Sequence, residues 1–224
     1  MKYPKINTLW KRDQLSGQIQ VGEYALPEFQ NIKKWLVQEK IDGTNIRINY
    51  KCKDKEAYGT YFYGRTEQAT IPKPLKKHLE DTFLRGNSLW HYFTKTGTEL
   101  HAQDIWLFGE GYGPKIQKGG GNYRDEVGFI LFDVWANGWW LNQDSVKSMA
   151  QDLNIPYAPI IGEMTEQEII EYIKSEPNST CAVSEHKMEG IVAKAEPLLL
   201  QCNGDPLRMK LKARDYQKLN SLIK

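Results

Sequence analysis

Short apolar or alternating stretches recur along the chain between turn residues, a pattern that predicts strands with a few helices among them. The predicted strands span residues 35–39, 45–50, 58–65, 105–108, 128–135, 191–195 and 207–212. Helices are predicted over residues 74–85, 143–153, 165–175 and from residue 215 onward, the third of them opened by a capping box. Asn137-Gly138 predicts a tight hairpin. Hairpins mixed with separated helices indicate an α+β fold of antiparallel sheets with flanking helices, and they disfavour a doubly wound parallel sheet.

The length and composition predict one folded domain over residues 1–224, because such a chain buries a sizeable core and no repeat or long linker divides it. Cys52, Cys181 and Cys202 are odd in number and have no C-x-x-C spacing, which indicates incidental thiols in a reducing compartment. The first residues lack the apolar region of a signal peptide, and no stretch approaches the roughly 18 apolar residues of a membrane span. We therefore predict a cytoplasmic protein that does not associate with membranes.

Basic residues are unevenly distributed, although the net charge is only +2. Residues 205–224 contain six basic side chains against two acidic ones, and a second basic group lies at Lys33, Lys34 and Lys40. Such groups are either solvated faces or phosphate-binding surfaces. The second interpretation gains weight where they flank a nucleotide site.

Residues 40–43, Lys-Ile-Asp-Gly, place a lysine at a strand-turn-strand. A lysine amine is nucleophilic only when neutral, and at a reference pKa of about 10.4 very little of it is neutral near neutral pH. Nearby positive charge or a divalent cation lowers a lysine pKa, and Lys210, Lys212 and a bound Mg²⁺ are available to do so. Taken alone, the segment also fits an ordinary surface lysine at a turn.

Four later segments each carry a carboxylate, aromatic or lysine on an apolar, strand-like stretch: residues 108–111 (Phe-Gly-Glu-Gly), 129–133 (Phe-Ile-Leu-Phe-Asp), 189–194 (Glu-Gly-Ile-Val-Ala-Lys) and 208–212 (Arg-Met-Lys-Leu-Lys). Side chains alternate along a strand, so Lys210 and Lys212 share a face, which suits a reacting phosphate or an exposed edge. Glu110 and Glu189 lie amid apolar residues, where a carboxylate needs a partner. A ribose hydroxyl, Mg²⁺, a lysine of the site or an ordinary salt bridge would serve.

Phe132 shares a predicted face with Ile130 and Val134, which fits a plate for a purine base or simple core packing. Arg65, at the end of a predicted strand, is either a phosphate or ribose clamp or a solvated arginine. Residues 113–124 are glycine-rich and basic but lack the G-x-x-x-x-G-K-[ST] pattern. We interpret them as a mobile loop that contacts nucleic acid, or as a flexible connection. Common hydrolase and dehydrogenase motifs are absent.

The ordered set of segments resembles the covalent nucleotidyltransferases, which comprise ATP-dependent RNA and DNA ligases and mRNA capping enzymes. Residues 39–45, Glu-Lys-Ile-Asp-Gly-Thr-Asn, are most similar to the E-K-x-[HD]-G-x-N motif of the nick-sealing RNA ligase branch. The resemblance spans about residues 39–212. It implies a nucleotidyltransferase (adenylation) domain with a central nucleotide cleft, in which Lys40 accepts the nucleoside monophosphate as a phosphoramidate.

The resemblance also implies roles for the remaining site residues. Glu39 and Ile41 would contact adenine, and Asn45 would lie near the phosphates. Arg65 would correspond to the arginine that follows the strand, Glu110 to the ribose contact and Phe132 to the aromatic that stacks on the base. Glu189 would be the metal carboxylate, and Lys210 and Lys212 would be the phosphate-binding lysines that act with Lys40 in catalysis. Only twelve residues follow Lys212. We therefore expect no appended OB-fold or helical domain.

The function implied by the resemblance is that of a minimal ATP-dependent RNA ligase. It would use ATP and Mg²⁺ (or Mn²⁺) to join 3′-hydroxyl and 5′-phosphate ends through lysyl-AMP, act as a monomer, and take RNA that is nicked, structured or paired with DNA. Two alternatives stay open. One is an ATP-dependent DNA ligase or a GTP-using capping-type enzyme, and the other is a non-catalytic module of the same fold that binds nucleic-acid ends.

Overall fold

The computed structural model describes residues 1–52, 58–85, 88–95 and 103–222. The strands in these residues are β1 (Asn7–Thr8), β2 (Trp10–Arg12), β3 (Ile19–Tyr24), β4 (Trp35–Lys40), β5 (Thr44–Cys52), β6 (Tyr58–Tyr63), β7 (Gln103–Tyr112), β8 (Gly128–Ala136), β9 (Trp139–Trp140), β10 (Ile160–Met164), β11 (Gly190–Ala195) and β12 (Arg208–Lys212). The α-helices are α1 (Lys73–Phe83), α2 (Ser88–Lys95), α3 (Gln143–Asp152), α4 (Glu166–Lys174) and α5 (Ala213–Leu222).

The chain forms two compact units. The central unit comprises Met1–Tyr3 and Asp42–Ala158, and the flanking unit comprises Pro4–Ile41 and Pro159–Lys224. Each unit contains its own hydrophobic core and its own five-stranded sheet. The organisation of residues 1–224 as a single domain stays a prediction.

The central unit is built on an antiparallel sheet with the strand order β6-β5-β7-β8-β9. Alternate residues of its strands, among them Ile46, Ile48 and Leu107, are fully buried in one core with Leu75 of α1 and Val146 of α3. The period of two along each strand puts this apolar set on one face. Helices therefore cover one face of the sheet, and the other face carries polar and aromatic side chains.

The flanking unit contains a sheet with the strand order β1-β12-β11-β4-β10. Its described strands pair antiparallel except for β1, which runs parallel to β12. Trp35 of β4, Ile191 of β11 and Met209 of β12 lie in its core with Ile169 of α4. Strands β2 and β3 form a separate antiparallel pair. The sheet thus has an apolar face toward this core and a polar face on the other side.

The predicted α+β class, with antiparallel sheets and flanking helices, is confirmed. At the predicted hairpin turn, Asn137 and Gly138 adopt φ values of 48° and 101°, as a tight hairpin requires. The capping box of α4 forms between Thr165 and Glu168. In the described part of the chain, no helix is long and apolar enough to cross a membrane.

Candidate active site

Three charged side chains meet on the polar face of the sheet in the flanking unit. Lys40 ends β4 and pairs with Gly190 of β11, which pairs in turn with Lys212 of β12. The carboxylate of Glu189, one residue before β11, accepts a hydrogen bond from Lys40 Nζ at 2.5 Å and another from Lys212 Nζ at 2.6 Å. Each of the three side chains is between 17 % and 23 % exposed. One carboxylate therefore holds two ammonium groups, one at each oxygen, where solvent still reaches them.

Gly190 allows the three strands to bring these side chains together. A β-carbon at this position would collide with the Leu211 carbonyl oxygen and with Cα of Lys212. Backbone atoms cannot rotate away from such a contact as a long side chain can. The close approach of β11 to β12 at this position therefore requires glycine.

The two lysines also control the protonation of Glu189. Burial alone would raise the pKa of the Glu189 carboxyl, but the positive charge of Lys40 and the hydrogen bonds from Lys212 and Lys40 outweigh burial, and the pKa lies below its ordinary value. Glu189 is therefore ionised at neutral pH, and its favoured partners are cations.

Further basic side chains lie on the same face of the sheet. The two apolar residues of β12 belong to the core, so Arg208, Lys210 and Lys212 alternate with them on the opposite side. The prediction that Lys210 and Lys212 share a face is confirmed. Lys210 pairs with Val192. It is therefore the next residue before Lys212 on the same face of β12. This face concentrates positive charge around the Lys40 amine.

The basic segment over residues 205–224 is not a continuous solvated surface. Arg208 is only 3 % exposed, and Lys212 is bound to Glu189. Arg214 is exposed, whereas Lys224 and the side chain of Lys218 lie outside the described residues. The interpretation of the segment as a solvated basic face is therefore wrong at Arg208, whose side chain is buried although strand alternation places it on the same face as Lys210 and Lys212.

Glu39 precedes Lys40 but points to the other face of the sheet. It pairs with Ile191 of the core and is 2 % exposed. Its carboxylate accepts hydrogen bonds from the Ser179 hydroxyl at 2.5 Å, the Thr180 hydroxyl at 2.7 Å and the Thr180 backbone N–H at 2.9 Å. Burying a carboxylate is costly unless donors of this kind compensate. The structure therefore places the Glu39 carboxylate away from the Lys40 amine and ties it to residues 179–181.

The thiol of Cys181 completes the surroundings of Glu39. Burial raises the pKa of this thiol to about 12, so it stays protonated and is a weak donor to the Glu39 carboxylate at 3.5 Å. A thiol that stays protonated is a poor nucleophile. This agrees with the interpretation of Cys181 as an incidental thiol.

Replacing Thr180 with valine would show how far the buried Glu39 carboxylate depends on that hydroxyl. The substitution keeps the β-branched shape but removes a donor to a charged group, and such hydrogen bonds are worth about 1.5–3 kcal/mol. We expect the free energy of unfolding in urea to fall by about 1–3 kcal/mol for Thr180→Val and much less for Thr180→Ser, which keeps the hydroxyl. Unchanged stability in Thr180→Val would mean that the other donors suffice.

In the central unit, Asn45 of β5 lies directly opposite Glu110 of β7. A β-carbon at Gly43 would collide with the Gly111 carbonyl oxygen and come close to Cγ of Glu110. The Glu110 side chain therefore lies directly against Gly43, the glycine of the Lys-Ile-Asp-Gly segment at residues 40–43. Within the described residues, the buried oxygen of the Asn45 amide has no hydrogen-bond partner. A buried acceptor without a donor is rare in folded proteins, and a bound ligand would satisfy it.

Residues 113–124 support the second half of the motif. The Asp42 backbone N–H donates to the Tyr123 hydroxyl at 3.3 Å, and the Gln117 side-chain amide donates to the Gly43 carbonyl at 3.1 Å. Tyr123 is fully buried, and backbone hydrogen bonds close successive turns of the loop. The loop is therefore folded into hydrogen-bonded turns, which its glycines permit. Its two lysines remain exposed.

Phe132 lies at a bulge in β8, where the pairing with β7 skips one residue. Its ring packs edge-on against Tyr3 at a centroid distance of 5.1 Å, and Tyr3 also packs on Phe108. Val134, by contrast, is buried in the core beneath the helices. The prediction that Phe132 and Val134 share a face is wrong, because the bulge resets the alternation.

The predicted site residues are divided between the two units. The flanking unit contains Glu39, Lys40, Ile41, Glu189, Lys210 and Lys212, and the central unit contains Asn45, Arg65, Glu110 and Phe132. Within the first group, the structure joins Lys40, Glu189 and Lys212. Within the second, it sets Asn45 against Glu110, while Arg65 is exposed just after β6.

Several residues that shape the site are not predicted from the sequence. Gly190 is detectable in principle, because a glycine inside a strand pattern marks a close backbone approach. Thr180, Gln117 and Tyr123 lie far along the chain from the residues they bind, at sequence distances of 141, 74 and 81. No local pattern connects positions so far apart.

Lys40 in a Lys-Ile-Asp-Gly segment at the end of β4, within an α+β fold of largely antiparallel sheets, is consistent with the covalent nucleotidyltransferases. The sequence model of the RNA ligase family matches residues 33–212. The chain therefore belongs to the RNA ligase family. No curated protein matches the sequence.

Solved RNA ligases have the same fold. A mutant of the Naegleria gruberi RNA ligase without ligand aligns over 99 % of this chain and 58 % of its own, with a TM-score of 0.63 and 15 % identity. Another mutant of that ligase, with ATP and Mn, aligns over 97 % and 63 %, with a TM-score of 0.60 and 17 % identity. An archaeal ATP-dependent RNA ligase aligns over 96 % and 48 %, with a TM-score of 0.59 and 16 % identity. The chain spans less than two thirds of the length of these ligases.

Proposed function

We propose that this protein is an ATP-dependent RNA ligase, which joins 3′-hydroxyl and 5′-phosphate ends through a lysyl-AMP intermediate on Lys40. The observation that carries the proposal is the Lys40 amine bound to Glu189 beside Lys212, in a chain of the RNA ligase family. The use of ATP is supported by the Naegleria gruberi ligase, whose structures contain ATP and Mn.

The first step transfers AMP to Lys40. The neutral amine of Lys40 attacks the α-phosphorus of ATP, a nitrogen–phosphorus bond forms, and the bond from the α-phosphorus to the bridging oxygen breaks. Pyrophosphate leaves, and the proton lost by the amine passes to solvent. Lys212 and Lys210, which share a sheet face, would stabilise the negative charge on the phosphates during this step.

AMP then passes from Lys40 to the 5′-phosphate end of the substrate. The 3′-hydroxyl finally attacks the activated 5′-phosphate and releases AMP, which closes the strand. Both steps reuse the cationic face around Lys40, because negative charge again develops on the phosphate that reacts.

A divalent metal, Mg²⁺ or Mn²⁺, fits this site through Glu189. Among the described residues, no three His, Cys, Asp or Glu side chains are grouped to hold a metal ion. Mg²⁺ in nucleotide enzymes commonly binds one or two carboxylates and completes its shell with water and phosphate oxygens, and the ionised carboxylate of Glu189 suits that mode. The bound metal would offset phosphate charge.

The remaining predicted residues are proposed as nucleotide contacts. Glu110 would bind the ribose, and Phe132 would stack on the base. Asn45 has a buried amide oxygen available to a donor, and Arg65 is exposed and available to a phosphate. Glu39 and Ile41 flank the nucleophile and are proposed to contact adenine through main-chain atoms, because the Glu39 carboxylate is bound by Thr180 on the other face of the sheet.

The two units are proposed to act together as a single nucleotidyltransferase domain, because the family match runs through residues of both. We further propose that the protein is a cytoplasmic monomer. Its cysteines are all free, which is typical of a reducing compartment.

Incubation with Mg²⁺ and α-labelled ATP or GTP tests the proposal directly. We expect label from ATP, and not from GTP, to become attached to the protein. Joining is then measured on nicked duplexes whose ends are RNA or DNA, and the RNA ends are expected to seal faster. Label from GTP would favour the capping-type alternative, faster sealing of DNA would favour a DNA ligase, and no label would leave a non-catalytic end-binding module.

A further inference from the structure

The central sheet carries a row of aromatic side chains on the face that the helices leave uncovered. Directly paired residues cross all five strands in the order Tyr61, Asn49, Trp106, Trp135 and Trp140. Residues that pair directly in antiparallel strands project from the same face of the sheet. Four of these five side chains are aromatic, and we call this surface the aromatic face.

A second row fixes the aromatic face in place. The rings of Tyr63 and Trp106 are 5.6 Å apart, and those of Phe108 and Trp140 are 5.4 Å apart. The buried guanidinium of Arg47 lies 5.3 Å from the ring centre of Tyr63 and 6.0 Å from that of Trp106. Packed rings with a cation among them have little freedom to rearrange. The rings are therefore held in place by contacts within the central unit.

Part of the aromatic face is open to solvent. Tyr61 is 50 % exposed, and Tyr63, Trp135 and Trp140 are half-buried. Trp106 is buried and forms the base of the surface. Exposed aromatic planes on a sheet provide stacking positions for nucleic-acid bases, since every base has a π-face.

The charges beside the aromatic face favour a polyanion. Lys51 projects from the same face of β5 and is exposed, as are Arg65 after β6 and Lys2 beside Tyr3. Of the neighbouring acidic groups, Glu67 binds Arg47, whereas Asp104 accepts a hydrogen bond from Asn49 and lies opposite Lys51 in the paired strand, where its charge partly offsets that lysine. Basic side chains around aromatic planes are the usual composition of a surface that binds single strands.

The proposed nucleotide contacts Asn45 and Glu110 lie on the same face of the central unit's sheet as the aromatic face. Asn45 and Asn49 lie on the same face of β5, four residues apart, which corresponds to about 13 Å along a strand. Glu110 lies opposite Asn45, just as Trp106 lies opposite Asn49. The row between these positions is covered by residues 1–3, because the Met1 carbonyl accepts a hydrogen bond from buried Arg47 and Tyr3 packs on Phe108. A strand of RNA whose end is at Asn45 and Glu110 would therefore pass beside residues 1–3 to reach the aromatic rings.

We propose that the aromatic face binds unpaired bases of the RNA next to the end that is joined. This inference rests on the proposed function, because that function supplies the RNA. Bases stack on Tyr61 and on the half-buried tryptophans, and Lys51 and Arg65 contact the backbone phosphates. The substrate class is therefore RNA with a single-stranded segment beside the reactive end.

Two substitutions separate stacking from general effects on the fold. Tyr61→Ala removes an exposed ring, and Tyr61→Phe keeps it. Trp139→Ala is the matched control, because Trp139 is 74 % exposed but pairs with Ala136, next to the helix-covered core, and so points away from the aromatic face. Thermal denaturation confirms that all three variants are folded.

Binding is measured by fluorescence anisotropy with a labelled, 5′-phosphorylated single-stranded RNA. Loss of one stacked base is expected to raise the Kd of Tyr61→Ala about tenfold, while Tyr61→Phe and Trp139→Ala stay within about twofold of the parent protein. Labelling by ATP should be unchanged in all three. An unchanged Kd for Tyr61→Ala, or an equal rise in Trp139→Ala, would overturn the proposal and leave the face to another partner, such as a protein. Absence of any ATP label in the parent protein would contradict the ligase function, whereas the Kd comparison would still decide the role of the face.

Discussion

A Lys40→Arg variant is expected to form no covalent adduct with α-labelled ATP, while the wild-type protein becomes labelled. Arginine keeps the positive charge and remains able to bind Glu189, so the surrounding ion pair survives. Its guanidinium is always protonated in proteins and has no free electron pair with which to attack phosphorus. The loss should therefore be complete and not a reduction in rate, as judged by label on denatured protein.

Two controls show whether Lys40 acts in chemistry or in folding. Lys40→Ala should give the same loss of label with an unchanged far-UV spectrum, because the Lys40 side chain is partly exposed. Both variants should still join an RNA whose 5′ end already carries AMP, since that reaction no longer needs a lysine nucleophile. An adduct on either variant would show that another residue accepts AMP.

The sequence predicts much of the fold because several strands are apolar or alternating stretches between turn residues. Strand β5 and the Asn137-Gly138 hairpin lie where the pattern places them. Strands β1 and β2 do not appear in the pattern because they contain two and three residues, too few for alternation to be detected. In β10, nearly every residue is half-buried, so polar and apolar positions do not separate clearly.

Only part of the candidate site is predicted from the sequence. Lys40, Glu189 and Lys212 are identified from local motifs, and the pairing of Lys40 and Lys212 with Gly190 brings them together. The surroundings of Glu39 depend on residues 179–181, far along the chain and outside any motif. At Phe132, a bulge interrupts the alternation of side chains between the two faces of β8. Bulges are common beside functional sites. Contacts between distant segments and local breaks in regularity are thus the parts that a one-dimensional pattern does not contain.

Lys212 and Lys210 share a sheet face, but the structure gives them different relations to the nucleophile. Lys212 pairs with the same glycine as Lys40 and binds the second oxygen of Glu189. Lys210 lies one row further along, opposite Val192. If both lysines stabilise the reacting phosphates, the one in the row of Lys40 should have the larger effect.

Lys212→Ala is therefore expected to slow adduct formation with ATP by about 10²–10³-fold, the usual effect of removing one preorganised charge partner from a reacting centre. Lys210→Ala should slow it less, and Lys147→Ala, which removes an exposed lysine of α3, should leave the rate unchanged and so controls for the loss of one positive charge. The rates are measured with saturating ATP and Mg²⁺, so that weaker binding does not imitate slower chemistry. Near-normal labelling by Lys212→Ala would mean that the Lys212–Glu189 pair serves the fold alone, because a positive charge at that position would then have no part in stabilising the phosphates.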